Sequence, residues 1–159
     1  MSSTGEPTAT AELASDHLRE GLVDRLRSAI GDALVDSLVK PGQDVWVRVR
    51  SDAWRSTGLA LRDQLGMDYF CFLSALDWMP SPFGKGEDDP TEPAPERDDT
   101  IRQGYCGGAT RFQLMARLVS IRQHVGITVK ADVPDDLVME SWIPVYAGAN
   151  WHEIGRAHV

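Results

Sequence analysis

Residues 79–108 cannot join a hydrophobic core, and that divides the chain into two pieces that must build a fold together. Pro80, Pro82, Pro90, Pro93 and Pro95 interrupt any regular backbone there. Seven acids (Glu87, Asp88, Asp89, Glu92, Glu96, Asp98, Asp99) stand against Lys85, Arg97 and Arg102, leaving −4, half of the formal net charge of −8. Such a run reads as a solvated acidic loop, bounded at residues 80–109, and not as a recognition site. An acidic chain without a basic stripe is also a poor partner for nucleic acid, whose affinity comes mainly from phosphate neutralisation. The 159 residues suffice for one domain with a real core.

The flanking pieces carry clear periodicities. Residues 1–10 read as a disordered polar tail, with no basic start or apolar run of the kind a secretory signal has. Thr10 is a candidate N-cap for a helix through about Ile30, with Leu18, Leu22, Leu26 and Ile30 repeating every four residues. Gly31 ends or weakens it. Residues 33–39 read as a strand or as continued helix, before the Pro41-Gly42 turn. Val45, Val47 and Val49 alternate with Trp46, Arg48 and Arg50, which predicts a half-buried strand. Ser51 or Asp52 then caps a second helix to about Gln64, its inner face formed by Trp54, Gly58, Leu61 and Leu65, with Gly66 as the stop.

Residues 68–76 form a continuous apolar strand, the pattern expected in the middle of a sheet. Residues 111–121 and 127–133 predict a hairpin joined through residues 122–126. The Val133-Pro134-Asp135-Asp136 turn follows, its acids favouring a short helix start after it. Two helices and four or five strands in this order predict an α+β fold: a two-layer sandwich with helices on one face of a mostly antiparallel sheet. The longest apolar run is far short of the roughly 20 residues of a membrane span, so any membrane association is expected to be indirect.

The residues offer little chemistry. His17, His124, His152 and His158 show no metal-ligand spacing, and His17 and His124 are expected to be exposed. Cys71 reads as a small buried hydrophobe and Cys106 lies in a glycine-rich turn. Two isolated cysteines cannot hold an iron–sulfur cluster. The Gly104-Tyr105-Cys106-Gly107-Gly108 run precedes a strand and not a helix, so it lacks the phosphate-cradling geometry. No nucleophile elbow or separated acid–base pair appears. No catalytic, cofactor-binding or metal residue is therefore expected. Near the C-terminus Trp142, Tyr146, Asn150 and Trp151 concentrate large semi-polar side chains, which read equally as interface or as core.

Residues 111–153 resemble the (C) subunit of the bacterial NADH–quinone oxidoreductase, respiratory complex I. The resemblance rests on the hairpin, the Val133-Pro134 turn, Ser141-Trp142-Ile143 and above all Ala149-Asn150-Trp151-His152-Glu153. Upstream, residues 72–77 are similar to the family strand that ends in an aspartate, and residues 79–110 to the acidic insertion of actinobacterial-type members. The resemblance covers about residues 23–153, so the domain is set at 11–153. After Glu153 the family continues differently. Residues 154–159 read as a translated sequencing adaptor, which implies a C-terminally truncated, less stable domain with apolar surface exposed near Trp142 and Trp151.

The resemblance implies a peripheral-arm subunit on the cytoplasmic side of the cell membrane, without redox chemistry of its own. NADH, FMN, iron–sulfur clusters and quinone would belong to other chains of the complex. Its partners would be other complex I subunits, especially the quinone-site (D) subunit. Candidate interface residues are Ser141, Tyr146, Asn150, Trp151 and Glu153. Glu153 is expected to pair with the family arginine that is missing here or to cap the helix lost with it, and Trp151 to serve as a buried anchor. Rival readings are the equivalent subunit of a related membrane-bound hydrogenase or dehydrogenase, and a stand-alone α+β binding module.

Overall fold

The computed structural model describes residues 16–80 and 99–154. The polar tail at 1–10, His158, most of the acidic loop and all but Ile154 of the segment 154–159 lie outside the described residues. Helix α1 (His17–Ile30) is followed by strands β1 (Leu34–Leu38) and β2 (Val45–Val49), helix α2 (Trp54–Asp63), strand β3 (Tyr69–Asp77), the hairpin β4 (Phe112–Ser120) and β5 (Val125–Asp132), and helix α3 (Ala149–Ile154). The five strands form one open sheet in the order β1-β2-β5-β4-β3. All pairs are antiparallel except β2 with β5, which run parallel. The chain must cross over between those two, and β3 and β4 lie on that path. The expected two-layer α+β architecture is what forms.

The period-two pattern is realised at β2, where Val45, Val47 and Val49 are buried and Trp46 and Arg48 half-buried. These valines share a core with Ile127 and Val129 of β5, Leu118 of β4, Leu22 and Leu26 of α1, and Trp54 and Leu61 of α2. Of the four-residue repeat on α1, Leu22 and Leu26 carry the packing while Leu18 stays exposed. Fully burying each such leucine stabilises by roughly 1.5–3 kcal/mol.

The structure corrects several expectations. Helix α1 begins at His17 with Asp16 as its cap, while Thr10, the cap expected, lies outside the described residues: the Asp16 carboxylate accepts from the Arg19 amide at 3.3 Å and the Gly42 amide at 3.2 Å. The Gly42 amide and the Arg19 guanidinium hold that carboxyl below its ordinary pKa. Neither Ser51 nor Asp52 caps α2. A 3-10 turn, Ser51–Ala53, leads into it instead, and Asp52 is engaged by Arg50. After Pro134 no helix starts directly, because Leu137 takes a left-handed φ of 58° and the Asp136 carboxylate accepts from the Val138 amide.

The largest correction concerns the apolar run of β3. It is an edge strand with only Leu73 buried, whereas β5 sits centrally and is buried on both faces along nearly its whole length. Gly126, Thr128 and Lys130 occupy the far face of β5, so a strand with polar members is the one covered on both faces. Cys71 on β3 is accordingly half-buried, its sulfur 3.1 Å from Nη1 of Arg117, and not the enclosed hydrophobe expected.

Candidate docking surface

The five candidate interface residues belong to one unit made of the turn at 141–146 and α3. Its foundation is Trp142, fully buried and stacked on Trp54 with ring centres 4.4 Å apart and an interplanar angle of 18°. The Trp142 indole N–H donates to the Trp54 carbonyl at 3.0 Å, satisfying the one polar atom of the ring. Gly58 on α2 makes room for that ring, since a Cβ there would lie 2.9 Å from Cε2 of Trp142.

Tyr146, 6% exposed, closes the turn: its hydroxyl donates to the Met67 carbonyl at 2.7 Å and its ring stacks on Phe70 at 5.5 Å. Burial pushes the phenol's pKa well above its usual value. The backbone amides of Val145 and Tyr146 both donate to the Trp142 carbonyl at 2.8 Å, a single helical turn built on the buried tryptophan.

Glu153 ties α3 back onto this turn. One carboxylate oxygen accepts from the Ser141 hydroxyl at 2.7 Å and the other from the Trp142 amide at 2.8 Å; Ser141 Oγ in turn accepts from the Ile143 amide at 3.0 Å. Neither role expected for Glu153 is the one seen: its carboxylate caps the 141–146 turn that precedes α3, and residues 155–159 lie outside the described residues. Ala149 is fully buried and His152 meets Phe70 edge-on at 5.3 Å. Ala149, His152 and Glu153 stand at i, i+3 and i+4, so one helix face is used entirely for this attachment.

The opposite face of α3 points outward. Trp151 is 83% exposed, Asn150 is exposed and Ile154 is 56% exposed. The aromatic cluster near the C-terminus is divided: Trp142 and Tyr146 are core, while Asn150 and Trp151 lie at the surface. Beside α3, a groove of about 640 Å³ runs between the β3–β4 end of the sheet and the 137–141 segment, lined by Leu73, Ala75, Leu114, Leu137 and Met139, with Glu153 at its wall.

Among the described residues no acid–base pair or nucleophile converges on this unit, and no group of three or more His, Cys, Asp and Glu side chains is placed to hold a metal ion. Cys106 is buried with its thiol donating to the Trp46 carbonyl at 3.2 Å, and burial pushes its pKa up to about 11, which keeps it a thiol. His17 and His124 are exposed. Among the described residues no helix is long and apolar enough to cross a membrane.

Sequence reasoning passed over a second polar cluster on the far face of the sheet. Gln113 accepts from the Trp78 indole N–H at 2.7 Å and donates to Asp132 at 2.5 Å, and Arg48 pairs with Asp132 at 3.0 Å beside the buried Lys130. The one signal for it is the parity of residues 125–132, which puts a lysine and a threonine on one face of an otherwise apolar strand.

The fold and this unit define a small α+β domain whose distinguishing feature is an anchored helix that presents an aromatic side chain. The chain belongs to the family described as respiratory-chain NADH dehydrogenase, 30 Kd subunit, whose pattern matches residues 47–154. It is 26% identical over 161 residues to the NADH-quinone oxidoreductase (C) subunit of Xanthomonas campestris pv. campestris strain B100, covering 82% of this chain and 60% of that one. The (C) subunits of Xanthomonas oryzae pv. oryzae strain PXO99A (25% over 161 residues, 82% and 60%) and Stenotrophomonas maltophilia strain K279a (24% over 163 residues, 82% and 61%) are similar to it to the same degree. The chain thus spans about 60% of the length of the curated relatives it matches.

Proposed function

We propose that this chain is a non-redox peripheral-arm subunit of a proton-translocating NADH:quinone oxidoreductase, reaching the membrane only through the complex and lying on its cytoplasmic side. NADH, FMN, iron–sulfur clusters and quinone are held by other subunits, and this chain's task is to dock against the quinone-site subunit. Its contribution to electron transfer is geometric. A brace that fixes a neighbour's position controls rate without touching the reacting atoms.

The observation that carries this reading is the match of residues 47–154 to the 30 Kd subunit family; Trp151, exposed on a helix whose other face is held by Ala149, His152 and Glu153, is the contact it offers. A large aromatic in water on a rigid support is the pattern of an interface anchor, which contributes contact area at low entropic cost. Asn150 sits beside it on the outer face, while Ser141, Glu153 and Tyr146 hold the support in place. The name shared by the relatives, which makes each of them a subunit of an NADH-quinone oxidoreductase, agrees with the role.

The test is co-expression of the tagged chain with the quinone-site subunit, followed by affinity capture. The unaltered chain retains the partner and Trp151→Asp releases it, while both remain folded by circular dichroism. Equal retention by the two, or none by either, contradicts the reading.

A further inference from the structure

Lys130 projects from the central strand β5 onto the sheet face opposite the helices, between Arg48 and Met115 in register, and is 0% exposed. Its ammonium donates to the carbonyls of Tyr105 at 2.9 Å and Gly107 at 3.2 Å and lies 5.0 Å from the centre of the Trp78 ring. Cys106 and Gly107 both take left-handed φ values, 62° and 58°, in the turn that brings those two carbonyls onto one cation. Among the described residues no carboxylate pairs with Lys130. Asp132, two places along the strand, is occupied by Arg48, Gln113 and the Ala109 amide. Burial lowers the pKa of Lys130, and the nearby Cys106 and Asp132 offset this only in part. Two neutral carbonyls accept from two of its three N–H groups without cancelling its charge, which is costly in a low-dielectric interior.

Against this cation lies a cavity of about 480 Å³ walled by Trp46, Trp78, Tyr105 and Met115, with Gln103 and Gly104 completing it. Among the described residues no acidic side chain lines it. Trp46 and Tyr105 meet edge-on at 5.2 Å, and a second ammonium, Lys40, stands 4.1 Å over the Tyr105 ring. The side-chain carbonyl of Gln103 is buried without a hydrogen-bond partner and lies against Gly108, outside the cavity lining. The hollow is therefore aromatic, with one ammonium in its wall and a second beside the Tyr105 ring. Its size falls in the range of roughly 300–1,000 Å³ of small-molecule sites.

We propose that this cavity binds a small aromatic carboxylate, its ring against Trp46, Trp78 and Tyr105 and its charge toward Lys40 and the field of Lys130. Lys130 is sealed from solvent and acts across the cavity wall, where low dielectric keeps its field strong, while Lys40 supplies the accessible charge. The site stands apart from α3 and does not depend on the docking role.

Titration of the isotopically labelled chain with 4-hydroxyphenylacetate, followed by amide chemical shifts, tests the proposal. Expected are saturable one-to-one shifts at Gly104, Tyr105, Met115 and Lys130, with the neutral 4-hydroxyphenylacetamide weaker by about tenfold or more. Lys40→Gln, at the surface, weakens the acid selectively. Gly104→Ala weakens both ligands, because its Cβ would come 3.0 Å from Cη2 of Trp78 and 3.8 Å from Nζ of Lys130 and so narrow the cavity. No saturation, equal affinity for acid and amide, or shifts centred elsewhere would overturn the assignment.

Discussion

The Glu153 carboxylate accepts the backbone amide of Trp142 at 2.8 Å, joining the last turn of α3 to the start of the 141–146 turn. Its other oxygen takes the Ser141 hydroxyl. One orphan backbone amide and one hydroxyl at the head of a turn are thus satisfied by a side chain from a different element, a capping arrangement spanning eleven residues.

Removing the carboxylate leaves the part-buried Trp142 amide without an acceptor. Glu153→Ala is expected to cost about 1–3 kcal/mol in denaturant unfolding. Glu153→Gln, which keeps one carbonyl acceptor, should recover part of that loss. Indistinguishable stabilities for all three proteins would count against the cap.

Gly58 is where α2 and the buried indole meet. Adding one methyl places it 2.9 Å from the Trp142 ring, so Gly58→Ala forces Trp142 off its stack on Trp54. A loss of roughly 1–3 kcal/mol follows from overpacking, despite alanine's higher helix propensity. Near-UV circular dichroism should report the disturbed tryptophan pair.

The Tyr146 hydroxyl reaches the Met67 carbonyl across the core edge, between residues far apart in the chain. Tyr146→Phe keeps the stacking on Phe70 and removes that bond, for an expected cost of about 1 kcal/mol in thermal or denaturant melts. An unchanged midpoint would show that water replaces the hydroxyl freely.

The two cysteines should differ in reactivity. Cys106 is buried with its pKa pushed up to about 11, while Cys71 is half-buried beside Arg117. At pH 8 a thiol reagent should modify Cys71 in the native protein and reach Cys106 only after unfolding. The linkage follows. The Cys106 thiol stays protonated to higher pH when folded, so its contribution to stability is present below the unfolded pKa and is lost as pH rises from about 8.5 toward about 11. A pH series of denaturant melts checks the sign.

Much of the architecture was legible because it rests on period and punctuation. The β2 valines, the stop at Gly66, with φ 72°, and the β4–β5 hairpin all follow from local pattern. The order of strands was not, because an apolar run such as residues 69–76 says that a strand seeks cover but not whether it lies at the centre or the edge. Long-range pairing decided that, giving the centre to β5 and burying Lys130 and Thr128 with it. In the docking unit the residue types were readable and their directions were not. Sorting Trp142 inward and Trp151 outward depends on the Trp54 stack and the Glu153 cap, contacts separated by many residues in the chain.

Trp151 makes the division between support and surface measurable. Because its side chain is 83% exposed, Trp151→Ala should change the isolated chain's stability by no more than about 0.5 kcal/mol. The most direct measurement is to place Trp151→Ala in the chromosomal gene, quantify assembled NADH:quinone oxidoreductase in the membranes, and measure turnover per assembled complex. A contact role predicts less complex with normal turnover in each one. Normal assembly with lost turnover would contradict it.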